Sequence, residues 1–269
     1  MSHPAPPRHP RRRSAAVLAS AVATVLALVA GGPPAGADPA SDAAYADGAH
    51  RALVGRDATE DETATWVATL GGGGSRSSLV VPLAGSEELE TQLVEAEYLG
   101  ILGRTPEAEG ATFWLDFLQQ RGATLRSFEA RLLGSPEFQS RAGSTPEDLI
   151  DAYYDVVLRR APSSADTDFW VGELEAGTPP GTVARGFLGS SEARRLDVRL
   201  AFDGFLGRTP DAEGLAFWVD VLGATGDEQR FWASLVISRE FYDRVQPMPA
   251  TRARTDGPVA VPVRLLVLG

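Results

Sequence analysis

Between Asp38 and Gln246 apolar residues recur at helical spacing, and no run of β-branched residues alternates with polar ones over the length of a strand. Leu215, Trp218, Val219 and Leu222 fall at i, i+3, i+4 and i+7. Ala111, Trp114, Leu115 and Leu118 repeat that stripe. Ahead of them Tyr98, Ile101 and Leu102, and likewise Phe202, Phe205 and Leu206, predict a preceding helix that exits at Gly103 or Gly207. Thr105-Pro106-Glu107 and Thr209-Pro210-Asp211 predict the next start, with Thr as cap, Pro in the first turn and an acid at the positive end of the helix dipole. A third helix carries Phe128, Leu132 and Leu133, or Phe231, Leu235 and Val236. Ser135-Pro136-Glu137-Phe138 opens a short fourth.

This order of elements occurs four times. Trp66, Trp114, Trp170 and Trp218 each lie ten residues after an Arg, namely Arg56, Arg104, Arg160 and Arg208. Twenty or 21 residues after each Trp comes a Ser-x-Glu, at Ser86, Ser135, Ser190 and Ser238. Segments 103–118 and 207–222 share 11 of 16 positions. The fold class expected is all-α: tandem helical repeats of about 48–56 residues stacked as an array, since one such unit cannot bury its own apolar face. The divisions are 38–91, a degenerate first repeat acting as a cap, then 92–144, 145–196 and 197–246. Residues 247–269 form a linker and an apolar tail too short to span a bilayer. A second stripe holds Phe113 and Phe117, Phe169 and Glu173, and Phe217 and Val221. Its counterpart in the first repeat is Thr65 and Thr69, a polar face suited to a cap.

Residues 1–37 read as a cleaved signal peptide. Arg8, Arg11, Arg12 and Arg13 precede the apolar stretch Ser14 to Ala30, and Ala35-Gly36-Ala37 supplies an A-x-A site. Secretion or display at the cell surface follows, by the general or the twin-arginine route. Their removal leaves 36 acids against 21 Arg, a balance that disfavours nucleic acid and anionic membrane as partners. The chain has no Cys, so no thiolate and no cross-link is available to it. It also has no Lys and no Asn, a bias of the kind a GC-rich, actinobacterium-like genome imposes.

The run Tyr98-x-x-Ile101-Leu102-Gly103-Arg104-x-Pro106-Glu107-x-x-Gly110-x-x-Phe113-Trp114 resembles the bacterial family catalogued as domain of unknown function 4214. More distantly it is similar to the helical linker domain of phycobilisomes. The fourth repeat carries the run from Phe202 to Trp218. The third keeps Tyr154, Leu158, Arg160, Pro162, Phe169 and Trp170 with Asp166 in place of the Gly, and the first has His50 and Glu62 at the Tyr and Gly positions. The resemblance implies exported or surface proteins, often joined to calcium-binding repeats, adhesins or carbohydrate-active domains. It implies no catalytic residue.

Each candidate group has a structural and a functional reading. The four Arg would fork onto carboxylates or sugar acids, or else pair with acids of the next helix, such as Arg208 with Asp211 or Glu213. The four Trp would stack on sugar rings, or else fill the core, where each burial stabilises by roughly 1.5–3 kcal/mol. Trp232 lies off the common register and is a better candidate than the other four for exposure and ligand contact. Acids cluster at Asp57-Glu60-Asp61-Glu62, at Glu87-Glu88-Glu90 and at Glu107 and Glu109. No cofactor is expected from them, calcium being the one cation they would suit, although no calcium-loop motif is present. His50, the one His after residue 37, is expected to pack, and each Ser of the Ser-x-Glu to cap.

Without a recognisable catalytic constellation, the expected function is that of an exported, non-enzymatic repeat protein. It would bind a cell-envelope or extracellular glycan or protein. The alternatives are an enzyme acting on cell-wall glycans through paired carboxylates, and a self-assembling surface subunit.

Overall fold

The computed structural model describes residues 38–246, and within them every regular element is helical. The segments expected to be a signal peptide and an apolar tail lie outside the described residues. In chain order the elements are α1 (Pro39–Val54), α2 (Glu60–Gly71), α3 (Ser77–Ala84) and α4 (Glu87–Glu97), the last running into a π turn at Tyr98–Leu102. Next come α5 (Ala108–Leu118), α6 (Leu125–Leu133), α7 (Pro136–Ala142) and α8 (Pro146–Tyr153), which enters a second π turn at Tyr154–Leu158. Then follow α9 (Ser164–Glu175), α10 (Pro180–Leu188) and α11 (Ser191–Ala201), with a third π turn at Phe202–Leu206. The series ends with α12 (Ala212–Thr225), α13 (Glu228–Ile237) and α14 (Arg239–Val245).

The caps explain most of these starts. Ser86, Ser135, Ser190 and Ser238 accept from the backbone N–H three residues on, at Leu89, Phe138, Ala193 and Phe241. The Thr-Pro-acid starts behave differently from expectation. Helices α5 and α12 begin two residues later, with Glu107 and Asp211 at the cap rather than Thr105 and Thr209. The Thr carbonyls are engaged elsewhere, by Arg104 and Arg208. Thr59 and Ser163 hold the same cap position, three residues after the Arg, in the first and third repeats.

The repeats do not pack as separate units. Divisions at 91/92 and 196/197 fall inside α4 and α11, so one helix closes each odd repeat and opens the next. Between the second and third repeats the same path is broken by Gly143, Ser144 and Thr145 into α7 and α8. That break accounts for the longer spacing from Arg104 to Arg160.

A larger period emerges instead. Helix α2 recurs 104 residues later as α9, α4 as α11, and the π turn at Tyr98–Leu102 as that at Phe202–Leu206. After the turn between α12 and α13 the offset drops to 103, so α7 recurs as α14. The chain is thus two similar halves, and they meet reciprocally. Helix α3 packs on α13, and its counterpart α10 packs on α6, the counterpart of α13. Tyr45 donates its hydroxyl to the carbonyl of Val236 across the halves, and Tyr153, one helical turn beyond Leu149, the counterpart of Tyr45, donates to the equivalent carbonyl of Leu133 (both 3.1 Å). Tyr45 meets Phe241 edge-on and Tyr153 stacks on Phe138, again equivalent partners. Such an arrangement is the one-chain form of an isologous dimer interface. At the α6–α10 crossing a Cβ on Gly134 would come within 2.6 Å of Gly181 Cα, so the two backbones touch and only Gly fits.

The first repeat is therefore no free end: α1 lies against α14 and α3 against α13. The core runs through both halves, from Tyr45, Leu53 and Leu93 to Phe128, Phe205 and Phe231. Trp232 belongs to it. It is 4% exposed, which overturns its assignment as a ligand contact. Helix α13 is apolar on nearly all sides, and Phe231 to Ile237 are all buried because α3, α12 and α14 surround it.

Candidate functional site

The four Arg landmarks converge on one geometry. Arg104 donates from Nε and Nη2 to Oε1 and Oε2 of Glu137 at 2.5 and 2.9 Å, and from Nη1 to the carbonyl of Thr105 at 3.1 Å. Arg160 does the same with Glu192 (2.5 and 3.0 Å) and the Ala161 carbonyl. Arg56 pairs with Glu88 (2.6 and 2.8 Å) and the Asp57 carbonyl. Arg208 pairs with Glu240 through Nε and Nη2, and with the Thr209 carbonyl. The pairing expected between Arg208 and Asp211 or Glu213 is replaced by this one. Each acceptor is the Glu of the Ser-x-Glu, fixed by its capped helix start, so the two landmarks of every repeat form one two-point staple.

Further contacts hold each guanidinium. The aromatic residue six positions earlier lies under it: Tyr98 at 5.3 Å from Arg104, Tyr154 at 4.7 Å from Arg160, and Phe202 at 5.2 Å from Arg208. These three rings open the three π turns. In the first repeat, where α1 runs on without a π turn, His50 takes the position. It is buried, with Nδ1 donating to the Ala46 carbonyl at 2.8 Å and its ring against Trp66. A second acid adds to three staples: Glu62 on Arg56 at 2.8 Å, Glu107 on Arg104 at 2.9 Å and Asp166 on Arg160 at 3.5 Å.

The helix exits beneath the staples are left-handed, at Gly55, Gly103, Arg159 and Gly207. Four residues beyond the stapling Glu, a long polar side chain covers the exit in three repeats. Gln92 donates to the Val54 carbonyl at 2.7 Å, and the Arg141 and Arg244 guanidiniums lie against Gly103 and Gly207. In the third repeat that residue is Leu196, and the exit itself is Arg159, at φ 53°. The cation that elsewhere reaches back to the helix end there sits on it.

Electrostatically these are closed pairs. The Arg guanidiniums hold the carboxyls of Glu62, Glu137 and Glu192 below the usual carboxylate range, and Arg56, Arg104, Arg160 and Arg208 are raised by their partners. A carboxyl so held is a poor proton donor at neutral pH. Carboxyls pushed upward are those of Asp42 and Glu90, both by burial. Asp42 accepts from the Tyr242 hydroxyl at 3.3 Å.

The four Trp divide. Trp66 and Trp218 are buried, whereas Trp114 and Trp170 are half-buried. Trp114 donates from Nε1 to the Tyr98 hydroxyl at 2.6 Å. Beside the two half-buried Trp stand Phe113 and Phe169, edge-on at 4.9 and 5.0 Å, and these are 56% and 59% exposed. Phe217 stands the same way by Trp218 but is itself half-buried.

One ionic cluster joins both halves inside the protein. Arg126 at the start of α6 donates to Asp197 on α11 and to the Leu188 carbonyl, and pairs through Nε with Glu228 at the start of α13. The three side chains are 12%, 12% and 7% exposed. Its spacing gave no signal in the sequence, since the members are 71 and 31 residues apart and come from two repeats that are not adjacent in the chain.

Among the described residues no three His, Cys, Asp or Glu side chains gather as a metal site, and no helix is long and apolar enough to cross a membrane. A surface groove of about 450 Å³ lies between α7, α8 and the α9–α10 turn. What the fold and these staples define is an all-helical protein of repeated units, each pinned by an Arg–Glu fork. Residues 130–196, from α6 into α11, match the family described as "Domain of unknown function (DUF4214)". No curated protein and no solved structure matches the chain.

Proposed function

We propose that the chain is an exported, non-enzymatic binding module of the cell envelope or extracellular matrix, directed at a glycan or a protein. The observation that carries the reading is the pair of exposed phenylalanines, Phe113 and Phe169, each braced edge-on against a half-buried Trp. An exposed aromatic ring held by a second ring is costly to leave in water and loses little entropy when it is covered. The apolar N-terminal segment with its A-x-A motif supports export. The stapled acids speak against a glycan hydrolase built on them, because their protons are held off by Arg.

Co-sedimentation of the purified protein with isolated cell envelopes tests the reading, at two salt concentrations and with or without EDTA. Binding that survives salt supports it, and its loss in EDTA would assign the contact to calcium. Absence of binding in every condition sinks it. Self-assembly is the second reading that the exposed Phe rings favour. A monomer in sedimentation at high concentration would remove it.

A further inference from the structure

The two halves provide an internal reference for the groove of about 450 Å³. Its floor and walls include Gln139, Pro146, Leu149, Leu174, Thr178 and Pro180. By the 104- and 103-residue offsets, four of these correspond in the other half to Tyr242, Asp42, Tyr45 and Arg76. The local backbones match: Gly73 and Gly177 both take positive φ (84° and 90°), and Gly74 and Thr178 both donate to the carbonyl five residues back.

The other half's counterpart of the groove is filled. Arg76 is 4% exposed, with its guanidinium 5.1 Å from the Tyr242 ring and 5.9 Å from the Tyr45 ring, and it donates to the Ser238 carbonyl at 3.1 Å. In the open copy the carbonyl equivalent to that of Ser238 is that of Ser135, which accepts from the backbone N–H of Gln139 at 3.1 Å and from its side-chain amide at 3.3 Å, with no arginine on it. Pro, Leu, Gln and Pro stand here in place of Arg, two Tyr and an Asp. Tyr153 takes over the carbonyl and ring contacts of Tyr45, nothing among the described residues takes over the ring contacts of Arg76 and Tyr242, and the cavity is lined by apolar and neutral polar groups. Two carboxylates stand behind lining residues. Glu173 accepts from the Thr178 hydroxyl at 3.0 Å, and Asp148 lies against Gly143 with its carboxyl held low by Thr145 and Ser144.

We propose that this groove is a peptide-binding site which takes an arginine flanked by tyrosine from a partner protein, replacing the side chains that fill its counterpart within the same chain. Its volume falls within the range of ligand sites, and the two carboxylates favour a cation. Arg is suited because its flat face packs on proline and leucine while its N–H groups reach carbonyls. The inference rests on the binding-module reading and narrows it to a protein partner.

The test uses the full protein and the capped dipeptide acetyl-Tyr-Arg-amide, followed by backbone amide NMR shifts. Expected are shifts confined to residues 143–149 and 174–180, saturating in the millimolar range that suits so small a ligand. Capped Gly-Gly should produce none. Restoring the filled state with Gln139→Tyr, Leu149→Tyr and Pro180→Arg should weaken the dipeptide about tenfold or more. Ser144→Trp at the mouth should do the same, and serves if the triple variant does not fold. No shifts, shifts elsewhere, or shifts that persist in the blocked variants overturn the proposal. Dipeptide binding without envelope binding would keep the groove and discard the envelope. Envelope binding that Ser144→Trp leaves intact, in a protein blind to the dipeptide, would do the reverse.

Discussion

Arg208 and Glu240 sit 32 residues apart and meet as a planar fork, joining the exit of one helix to the capped start of another. The contact recurs in every repeat, yet each pair is well exposed, about 43% for both partners here. Exposed ion pairs contribute little on their own. A double-mutant cycle with Arg208→Ala and Glu240→Gln should therefore give a coupling of about 0.5–1 kcal/mol. Arg208→Ala should cost more than Glu240→Gln, because it also removes the contact with Phe202 and the bond to the Thr209 carbonyl. Equal single-mutant losses in urea unfolding would count against the three-way role of the Arg.

Acid should weaken the staples. The carboxyls of Glu62, Glu137 and Glu192 titrate below their ordinary value of 4.5 in the folded chain. A depressed carboxyl contributes stability that is present above the unfolded value and lost as pH falls through the folded one. Thermal midpoints should change little from neutral pH down to 4.5 on this account and then fall. The variant Glu62→Gln/Glu192→Gln should start lower and fall less steeply. Asp42 acts in the opposite sense, because burial raises it and protonation removes a penalty. An acid limb that is unchanged in the double Gln variant would dissociate the staples from acid stability.

The buried cluster should behave unlike the staples. Arg126→Ala leaves Asp197 and Glu228 desolvated without their guanidinium and should cost about 3–5 kcal/mol. The triple change Arg126→Met, Asp197→Leu and Glu228→Leu removes all three charges and should recover most of that loss. Chemical denaturation of the two variants decides it. A triple variant as weak as the single one would show that the charges themselves hold the halves together.

The repeats were legible because their signals are local: a capping Ser, a left-handed exit and an apolar stripe each occupy a few residues. The staples were not, although both of their ends were seen. Arg104 and Glu137 are brought together by two helices, α5 and α6, and the loop between them, and nearer acids such as Glu107 offered a simpler partner. Closure of the two halves was hidden for the same reason, since it depends on α3 meeting α13 across most of the chain. The error at Trp232 had a readable remedy. The run from Phe231 to Ile237 has no polar face beyond Ser234, which is the pattern of a helix covered on all sides.

Trp232 and Phe169 make the sharpest contrast for function. Trp232→Ala opens a cavity in the core beside Phe205 and should cost about 3–5 kcal/mol. Phe169→Ala removes a ring that is 59% exposed and should change stability by no more than about 0.5 kcal/mol. If Phe169 and Phe113 are contact residues, the double Ala variant should remain folded by circular dichroism and yet lose envelope co-sedimentation. A variant that binds like the original would confine any partner to other surfaces, the groove between α7 and α8 foremost. A variant that unfolds would mean that the two rings brace Trp114 and Trp170 and are part of the core's edge, not of a binding face.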